Sequence, residues 1–249
     1  MTEESRVRGL SAWYLEEQLG FDKRLIRFRY ETLRPHLKGP DGLELGPAEG
    51  EMTQFLLPHF DNLTVVDGSA TLLAQIPEQF RVTKVHSLFE SFKPLSLFNT
   101  IIMEHILEHV DSPVSLLIRA KEWLIPGGHI LIGVPNANSI HRLAAVKMGM
   151  LGKPNDLNQR DLALGHRRIY TQETLRRDLA SAELDVVEMG GVFLKPLSNK
   201  QIEDHWSDEM IEGFYALGKD FPQNAAEIYA IARPRWPSGR TGSVIRDPQ

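Results

Sequence analysis

The stretch Gly42-Leu43-Glu44-Leu45-Gly46-Pro47-Ala48-Glu49-Gly50 constrains this chain more than any other. It reads as a short apolar strand carrying one acid, a tight glycine-rich turn and the start of a helix. Glycine lets a backbone turn sharply and lets a ligand approach it closely. A helix opening near Glu49 would aim unpaired N–H groups at whatever lies over the turn. A second apolar strand ends at Asp67. That acid follows Gly46 by roughly 20 residues, the separation at which an acid grips a ribose in a nucleotide-binding βαβ unit. A dinucleotide site would show G-x-G-x-x-G. Here the order is Glu-x-Gly-x-Ala-x-Gly, with Ala48 where a middle glycine would stand.

Apolar strands and helices alternate beyond this stretch. Strands are expected over residues 41–45, 63–66, 82–86, 97–103 and 130–134, and helices over 49–57, 70–76 and 113–124. Pro58 is expected to stop the first helix, since proline cannot continue one. The alternation implies a parallel sheet with right-handed crossovers. Ligands of such sheets bind at the carboxyl ends of the strands, where Gly46, Asp67, Ser87 and Glu104 fall. Upstream, Trp13, Leu15, Leu19, Ile26, Tyr30 and Leu33 recur at helical spacing, which predicts two helices broken near Gly20. Downstream of Pro135 the pattern fails. Residues 136–166 exceed an ordinary connection and read as a lid or substrate loop with a helix near 140–148. Thr171 then reads as an N-cap with Thr174 at its third position. A strand over 184–189, ended by Gly190-Gly191, a helical stretch over 199–217 with Trp206, Met210 and Phe214 on one face, and a strand over 226–232 complete the pattern. The expected organisation is a helical cap over 1–37, one domain over 38–234 with its insertion at 136–166, and a disordered tail over 235–249.

A chain of 249 residues suits one α/β domain with an insertion. A formal charge of −5 offers no electrostatic case for a nucleic-acid partner. The absence of cysteine excludes disulfide and thiol chemistry. The first residues lack the apolar core of a signal peptide, and no apolar run approaches a membrane span. A cytoplasmic protein without membrane or nucleic-acid partners is expected, with a homodimer left open.

Four landmarks stand in order: the 44–50 loop, Asp67, the run Met103-Glu104-His105-Ile106-Leu107-Glu108-His109-Val110, and Leu124-Ile125-Pro126-Gly127-Gly128. Together they resemble the class I S-adenosylmethionine-dependent methyltransferases. The matching features are the E/D-x-G-x-G-x-G motif, the Leu-Glu-His-Val segment after strand 4 and the Leu-x-Pro-Gly-Gly turn before strand 5. The resemblance covers residues 38–134 well and the chain to Pro234 loosely. In that looser part His166-x-Arg168-x-Tyr170-Thr171 is similar to the segment before the sixth strand of many small-molecule methyltransferases. The resemblance implies a Rossmann-like three-layer α/β sandwich whose seven-stranded mixed sheet has an antiparallel last strand. It implies S-adenosylmethionine as cofactor, S-adenosylhomocysteine as product and a small-molecule acceptor, first of all a hydroxyl of a sugar or natural-product intermediate. Transfer to an amine or amino sugar is the alternative, as is a non-catalytic S-adenosylmethionine-binding subunit.

Methyl transfer from a sulfonium is an in-line displacement, so it needs a cradle that positions donor and acceptor, and a base where the acceptor must lose a proton. By the resemblance, Glu44 meets the methionine amino end, and Gly46, Ala48 and Gly50 let the backbone approach. Asp67, with Gly68 behind it, takes both ribose hydroxyls, two acceptor oxygens for two donors. Ser87, Leu88 and Phe89 lie where the adenine is held. Tyr30, with Tyr14, Arg27 and Arg29, would close the methionine end or meet the substrate, and residues near Glu104 line the transfer face. His105 is the expected general base, because histidine titrates near neutrality. Glu104, His109, His141 and His166 are further candidates. Arg167 and Arg168 suit an anionic substrate. Lys195, His205 and Trp206 read more simply as surface and packing. No metal is expected, because His105 and His109 belong to a strand-to-loop segment rather than to one helix face.

Overall fold

The computed structural model describes residues 20–235. The expectations for the first predicted helix, for Tyr14 and for the tail beyond residue 235 lie outside the described residues. Seven strands form: β1 (Asp41–Leu45), β2 (Asn62–Asp67), β3 (Thr83–His86), β4 (Phe98–Glu104), β5 (Leu124–Pro135), β6 (Leu184–Val192) and β7 (Glu227–Pro234). They make one sheet in the order β3-β2-β1-β4-β5-β7-β6. β1 to β5 pair in parallel, and β7 runs antiparallel between β5 and β6. Around the sheet lie α1 (Asp22–Leu33), α2 (Thr53–Leu56), α3 (Ala70–Leu73), α4 (Pro113–Glu122), α5 (Ile140–Lys147), α6 (Gln159–Ala163), α7 (Gln172–Ser181), α8 (Asn199–His205) and α9 (Asp208–Asp220). The expected mixed seven-stranded α/β sandwich therefore holds.

Side chains alternate across a strand, so consecutive apolar residues serve opposite faces. Ile101 and Met103 of β4 join Leu43, Leu45 and Ile130 in a core closed by Leu116 and Leu117 of α4 and Leu175 and Leu179 of α7. Ile102, between them, joins Val65, Leu131 and Ile231 under Leu33, Leu56 and Leu73 on the other face. Parallel strands covered on both faces need this near-continuous apolar character. A third cluster ties α1 to the end of the chain: Phe28 stacks on Tyr215 at 4.2 Å and on Phe193 at 5.7 Å.

Several boundaries differ from expectation for identifiable reasons. The first crossover helix begins at Thr53 rather than Glu49, because Ala48 (φ +47) and Gly50 (φ +90) take left-handed conformations that interrupt a helix. Pro58 does not end the helical path. It sits in the first turn of a 3₁₀ segment, Leu57–His59, where its missing N–H is not needed. α3 closes after one turn, at Leu73. β6 runs through Gly190-Gly191 to Val192. Those glycines do not end the strand; they admit neighbours, since a Cβ on Gly190 would stand 2.5 Å from the Tyr229 ring and one on Gly191 2.7 Å from Pro222 Cα. The stretch over 199–217 is two helices, because Trp206 leaves helical geometry and Ser207 caps a new start by accepting from the Met210 N–H. Trp206 packs on Phe214 at 4.4 Å, but Met210 is exposed and Ile211 takes the buried position. The Thr171 cap forms with its reciprocal Thr174 bond. Among the described residues no helix is long and apolar enough to cross a membrane.

Two glycines of α9 should respond to alanine with opposite signs. Alanine in a helix interior is ordinarily favoured over glycine by about 1 kcal/mol. Gly213 has nothing within 4 Å of an added Cβ, whereas Gly218 packs directly on the Phe193 backbone. Urea denaturation is expected to show Gly213→Ala stabilised by up to about 1 kcal/mol and Gly218→Ala destabilised. Equal shifts would mean that the α9–β6 contact is looser than it looks.

Candidate active site

The carboxyl ends of β1, β2 and β4, the first residue of β7, α1 and the insertion surround a cavity of about 400 Å³. One half is built by the glycine-rich turn. Gly46 donates its N–H to Val66 O at 2.8 Å, which holds the turn against β2. It has φ +66, and a Cβ there would run into the Ile106 side chain. Ala48 takes φ +47 without being glycine, a strain on the order of 1 kcal/mol that surrounding contacts must offset. Behind the turn Glu44 is 3% exposed and accepts from the Thr53 hydroxyl at 2.7 Å. Burial pushes its carboxyl up to about 8, against the Thr53 bond and with help from Glu104 and Asp67. Asp67 accepts from the Ser69 N–H at 2.7 Å, and burial raises it to about 6. Gly68, Leu88 and Phe89 complete this half.

Three residues assigned to this half from the sequence lie elsewhere. The Tyr30 hydroxyl bonds His59 Nε2 at 3.0 Å and its ring stacks on Phe55, which turns it out of the cavity. The Ser87 hydroxyl donates to Leu88 O at 2.9 Å and does not line the cavity. Gly50 sits behind the turn against Ile76 and Phe80. Of the two cap arginines, Arg29 lines the cavity, while Arg27 is exposed and paired with Glu212.

The other half is a knot of charges at the end of β4. His105 takes φ +55, and its N–H donates to Gly133 O at 2.9 Å. Its Nδ1 lies 3.2 Å from Glu108 Oε1 and its Nε2 3.3 Å from Glu227 Oε1. Burial and Arg29 depress the imidazole, but Glu227 and Glu108 outweigh them and raise it to about 10. Both ring nitrogens thus face carboxylates that favour the protonated ring, which argues against the general base expected there. Glu104 points into the space left by Gly133, where a Cβ would strike its carboxylate. Both its oxygens are buried without a hydrogen-bond partner. Burial raises it to about 7, opposed by Arg29 and His105. Arg29 reaches Glu227 at 3.4 Å and Glu104 at 3.8 Å.

The insertion supplies the remaining wall. Arg142 on α5 binds Pro154 O at 2.8 Å, Asp161 Oδ2 at 3.0 Å and Asp156 O, which fastens residues 154–161 over the cavity. His141, His166 and Lys195 line the cavity. Burial, with Lys195 and Arg142, holds His141 down to about 3. His109 lines the cavity as well, and its ring meets that of His166 edge to face at 4.8 Å. Glu108, His109 and His166 each bring one ligand-type atom within 4.8 Å of the others. Arg167 and Arg168 do not face the cavity. Arg168 binds Leu107 O at 2.7 Å and Val110 O at 2.5 Å, and Arg167 Nε binds His109 O at 2.8 Å, so both clamp the turn after β4. His205 and Trp206 stand outside the cavity. Sequence reasoning missed Glu227, Arg142 and Asp161. Glu227 had a signal: an acid opens an otherwise apolar last strand, and antiparallel pairing brings that end to the carboxyl edge of the sheet.

Residues 16–189 match the family model described as a methyltransferase domain, and the chain belongs to that family. Its strand order and antiparallel β7 are those of the class I S-adenosylmethionine-dependent methyltransferases. It is 22% identical to the ubiquinone biosynthesis O-methyltransferase of Marinobacter nauticus over 209 residues, 80% of each chain. The N-methyltransferase NodS from Bradyrhizobium japonicum, solved with S-adenosyl-L-homocysteine, is 17% identical with a TM-score of 0.55 over 90% of this chain and 92% of that one. The DhpI–SAH complex is 17% identical with a TM-score of 0.58 over 93% and 95%. At these identities the solved structures establish the shared fold.

A buried carboxyl whose pKa is raised to about 8 from 4.5 withholds stability increasingly as pH rises between those values. Glu44→Gln removes that charge and keeps an acceptor for Thr53. Thermal melts of the ligand-free protein should show the variant gaining more over wild type near pH 8 than near pH 5. An equal gain at both would place the titration on another group.

Proposed function

We propose that this chain transfers a methyl group from S-adenosylmethionine to a small polar acceptor, first of all a hydroxyl of a sugar or natural-product intermediate. The observation that carries this is the union, in one cavity, of the open turn at Gly46 between Glu44 and Asp67 with a transfer face where Glu104 has no hydrogen-bond partner. The turn suits the cofactor because Gly46 leaves backbone bare beside two buried acids, and a Cβ there would run into Ile106. Asp67 would accept from both ribose hydroxyls and Glu44 would face the methionine ammonium. Leu88 and Phe89 would cover the adenine, and Arg29, one of the cations lining the cavity, would meet the methionine carboxylate. Bound there, the cofactor supplies an electrophilic methyl on sulfur.

Glu104 is the base in this reading. Glu104 lines the cavity at the carboxyl end of β4 with both oxygens buried and without a hydrogen-bond partner, and a group near 7 is poised for proton transfer at neutral pH. His105 serves as a fixed donor beside it. The acceptor half carries polar side chains, the amides of Asn136 and Asn158, the neutral imidazole of His141 and Lys195 among them, and these suit a hydroxyl-rich molecule. Transfer to an amine is a second reading, favoured by the same carboxylates, since Glu104 and Glu227 would also hold an ammonium and take its proton.

Calorimetric titration with S-adenosylhomocysteine tests the cradle. Asp67→Ala removes two charge-assisted hydrogen bonds and is expected to weaken binding by about 100-fold or more. Wild-type affinity in that variant would refute the cradle. A labelled-methyl screen over sugars, phenols and amines then finds the acceptor. With it, Glu104→Gln is expected to lower turnover by roughly 10²- to 10⁴-fold while cofactor affinity changes little. Undiminished turnover would move the base elsewhere.

A further inference from the structure

The turn after β4 and the end of the insertion are far apart in sequence, yet they bring Glu108, His109 and His166 together at the acceptor edge of the cavity. We propose that these three side chains bind one divalent transition-metal ion of the zinc or manganese class, with an open position towards the cavity. One carboxylate and two imidazoles form a donor set that suits such ions, and three protein ligands leave a coordination place for water or substrate.

Glu108 is fully buried, its Oε1 facing His105 Nδ1 at 3.2 Å and its Oε2 without a hydrogen-bond partner. A buried carboxylate needs cationic neighbours, and the imidazoles of His105, His109 and His166 are the groups that face it. His105 stands beside Oε1 at 3.2 Å, which leaves Oε2 for another cation. His166 carries the support expected of a metal ligand. Its Nδ1 lies 3.4 Å from Asp161 Oδ1, and a carboxylate at one ring nitrogen directs the other to the metal. Asp161 is itself fixed, by Arg142 and by the reciprocal cap with Asn158. The two ligand-bearing segments are joined through their backbones as well, since the Arg167 N–H donates to Glu108 O at 2.8 Å. Ligand atoms on one ion lie no more than about 4.2 Å apart, twice a typical zinc–nitrogen bond. The three ligand atoms lie within 4.8 Å of one another, so shifts of a few tenths of an ångström, about what side-chain adjustment supplies, bring them to that spacing.

His109 and His166 line the cavity, so the open position faces the acceptor. The role of the ion rests on the methyltransferase reading: an acceptor hydroxyl bound there would release its proton more readily to Glu104. The binding of the ion does not rest on it. The full chain, stripped with a chelator and dialysed, is titrated calorimetrically with Zn²⁺ and with Mn²⁺, and bound metal is counted by elemental analysis. One ion per chain is expected. His166→Ala should weaken binding by at least about 100-fold, and His205→Ala, a surface histidine, should leave it unchanged. Co²⁺ should give visible d–d bands in wild type that His166→Ala abolishes. S-adenosylhomocysteine titrations of the same samples report folding and cofactor binding separately. Wild type that binds S-adenosylhomocysteine and no ion at unit stoichiometry would overturn the proposal, as would equal metal affinity in wild type and His166→Ala. Loss of S-adenosylhomocysteine binding in wild type would refute the methyltransferase reading, and the metal titration would still decide the site.

Discussion

Five ionic side chains, Arg29, Glu104, His105, Glu108 and Glu227, are gathered, buried or half-buried, where β4 and β5 end and β7 begins, and much of the active cavity depends on them. Taking a charge out of water costs several kcal/mol unless partners compensate it. The compensation is shared across elements: α1 brings Arg29, β7 brings Glu227, and the turn after β4 brings Glu108. Removing one partner strands another, so the group acts as a unit. It also sets the position of α1, because Arg29 reaches the sheet only if the helix lies across the cavity. The apolar contacts of Phe28 fix the same helix from its other side. Charge aims the helix and apolar packing holds it.

Backbone strain follows the same geography. Ala48 and His105 both take left-handed φ, and both line the cavity. Such conformations persist when surrounding contacts over-determine them. At Ala48 the Gly46–Val66 bond and the Asp67 carboxylate do so; at His105 the Gly133 carbonyl and two carboxylates do. Gly46 and Gly133 contribute by lacking a side chain, one leaving backbone bare and the other leaving room for Glu104. The strained turns thus present backbone and charge at fixed places without a mobile loop to organise them.

The sheet was legible in the sequence because its signals are local. Apolar runs closed by Gly46, Asp67 and Glu104 locate three strands within a residue or so, and Thr171 with Thr174 locates a helix start. The residues proposed for the cradle are local as well, since Glu44, Gly46 and Asp67 belong to one strand-turn-helix-strand unit. Errors arose where a residue's role depends on a distant neighbour. Gly190 and Gly191 look like a strand end but make room for Tyr229 and Pro222. Tyr30 looks like a cap residue but pairs with His59. Arg167 and Arg168 look like anion binders but hold carbonyls of the turn after β4. His105 resembles a base until the carboxylates on both sides of its ring are seen, and one of them comes from β7.

This contrast bears on how the family varies its acceptors. The cofactor half rests on contacts within one short segment, and a fold shared at 17% identity can preserve it. The acceptor half is assembled from α1, the turn after β4, the insertion and the edge of β7, held by single long-range bonds such as Arg142–Asp161 and Arg29–Glu227. Bonds within the insertion such as Arg142–Asp161 can be replaced without disturbing the sheet, whereas Arg29–Glu227 belongs to the buried group that acts as a unit. Acceptor identity is therefore free to drift while the fold stays, and names attached to distant relatives constrain it weakly. In this chain Lys195, His141 and His166 stand in the acceptor wall beside apolar residues, so its side chains, more than the fold, bear on the acceptor.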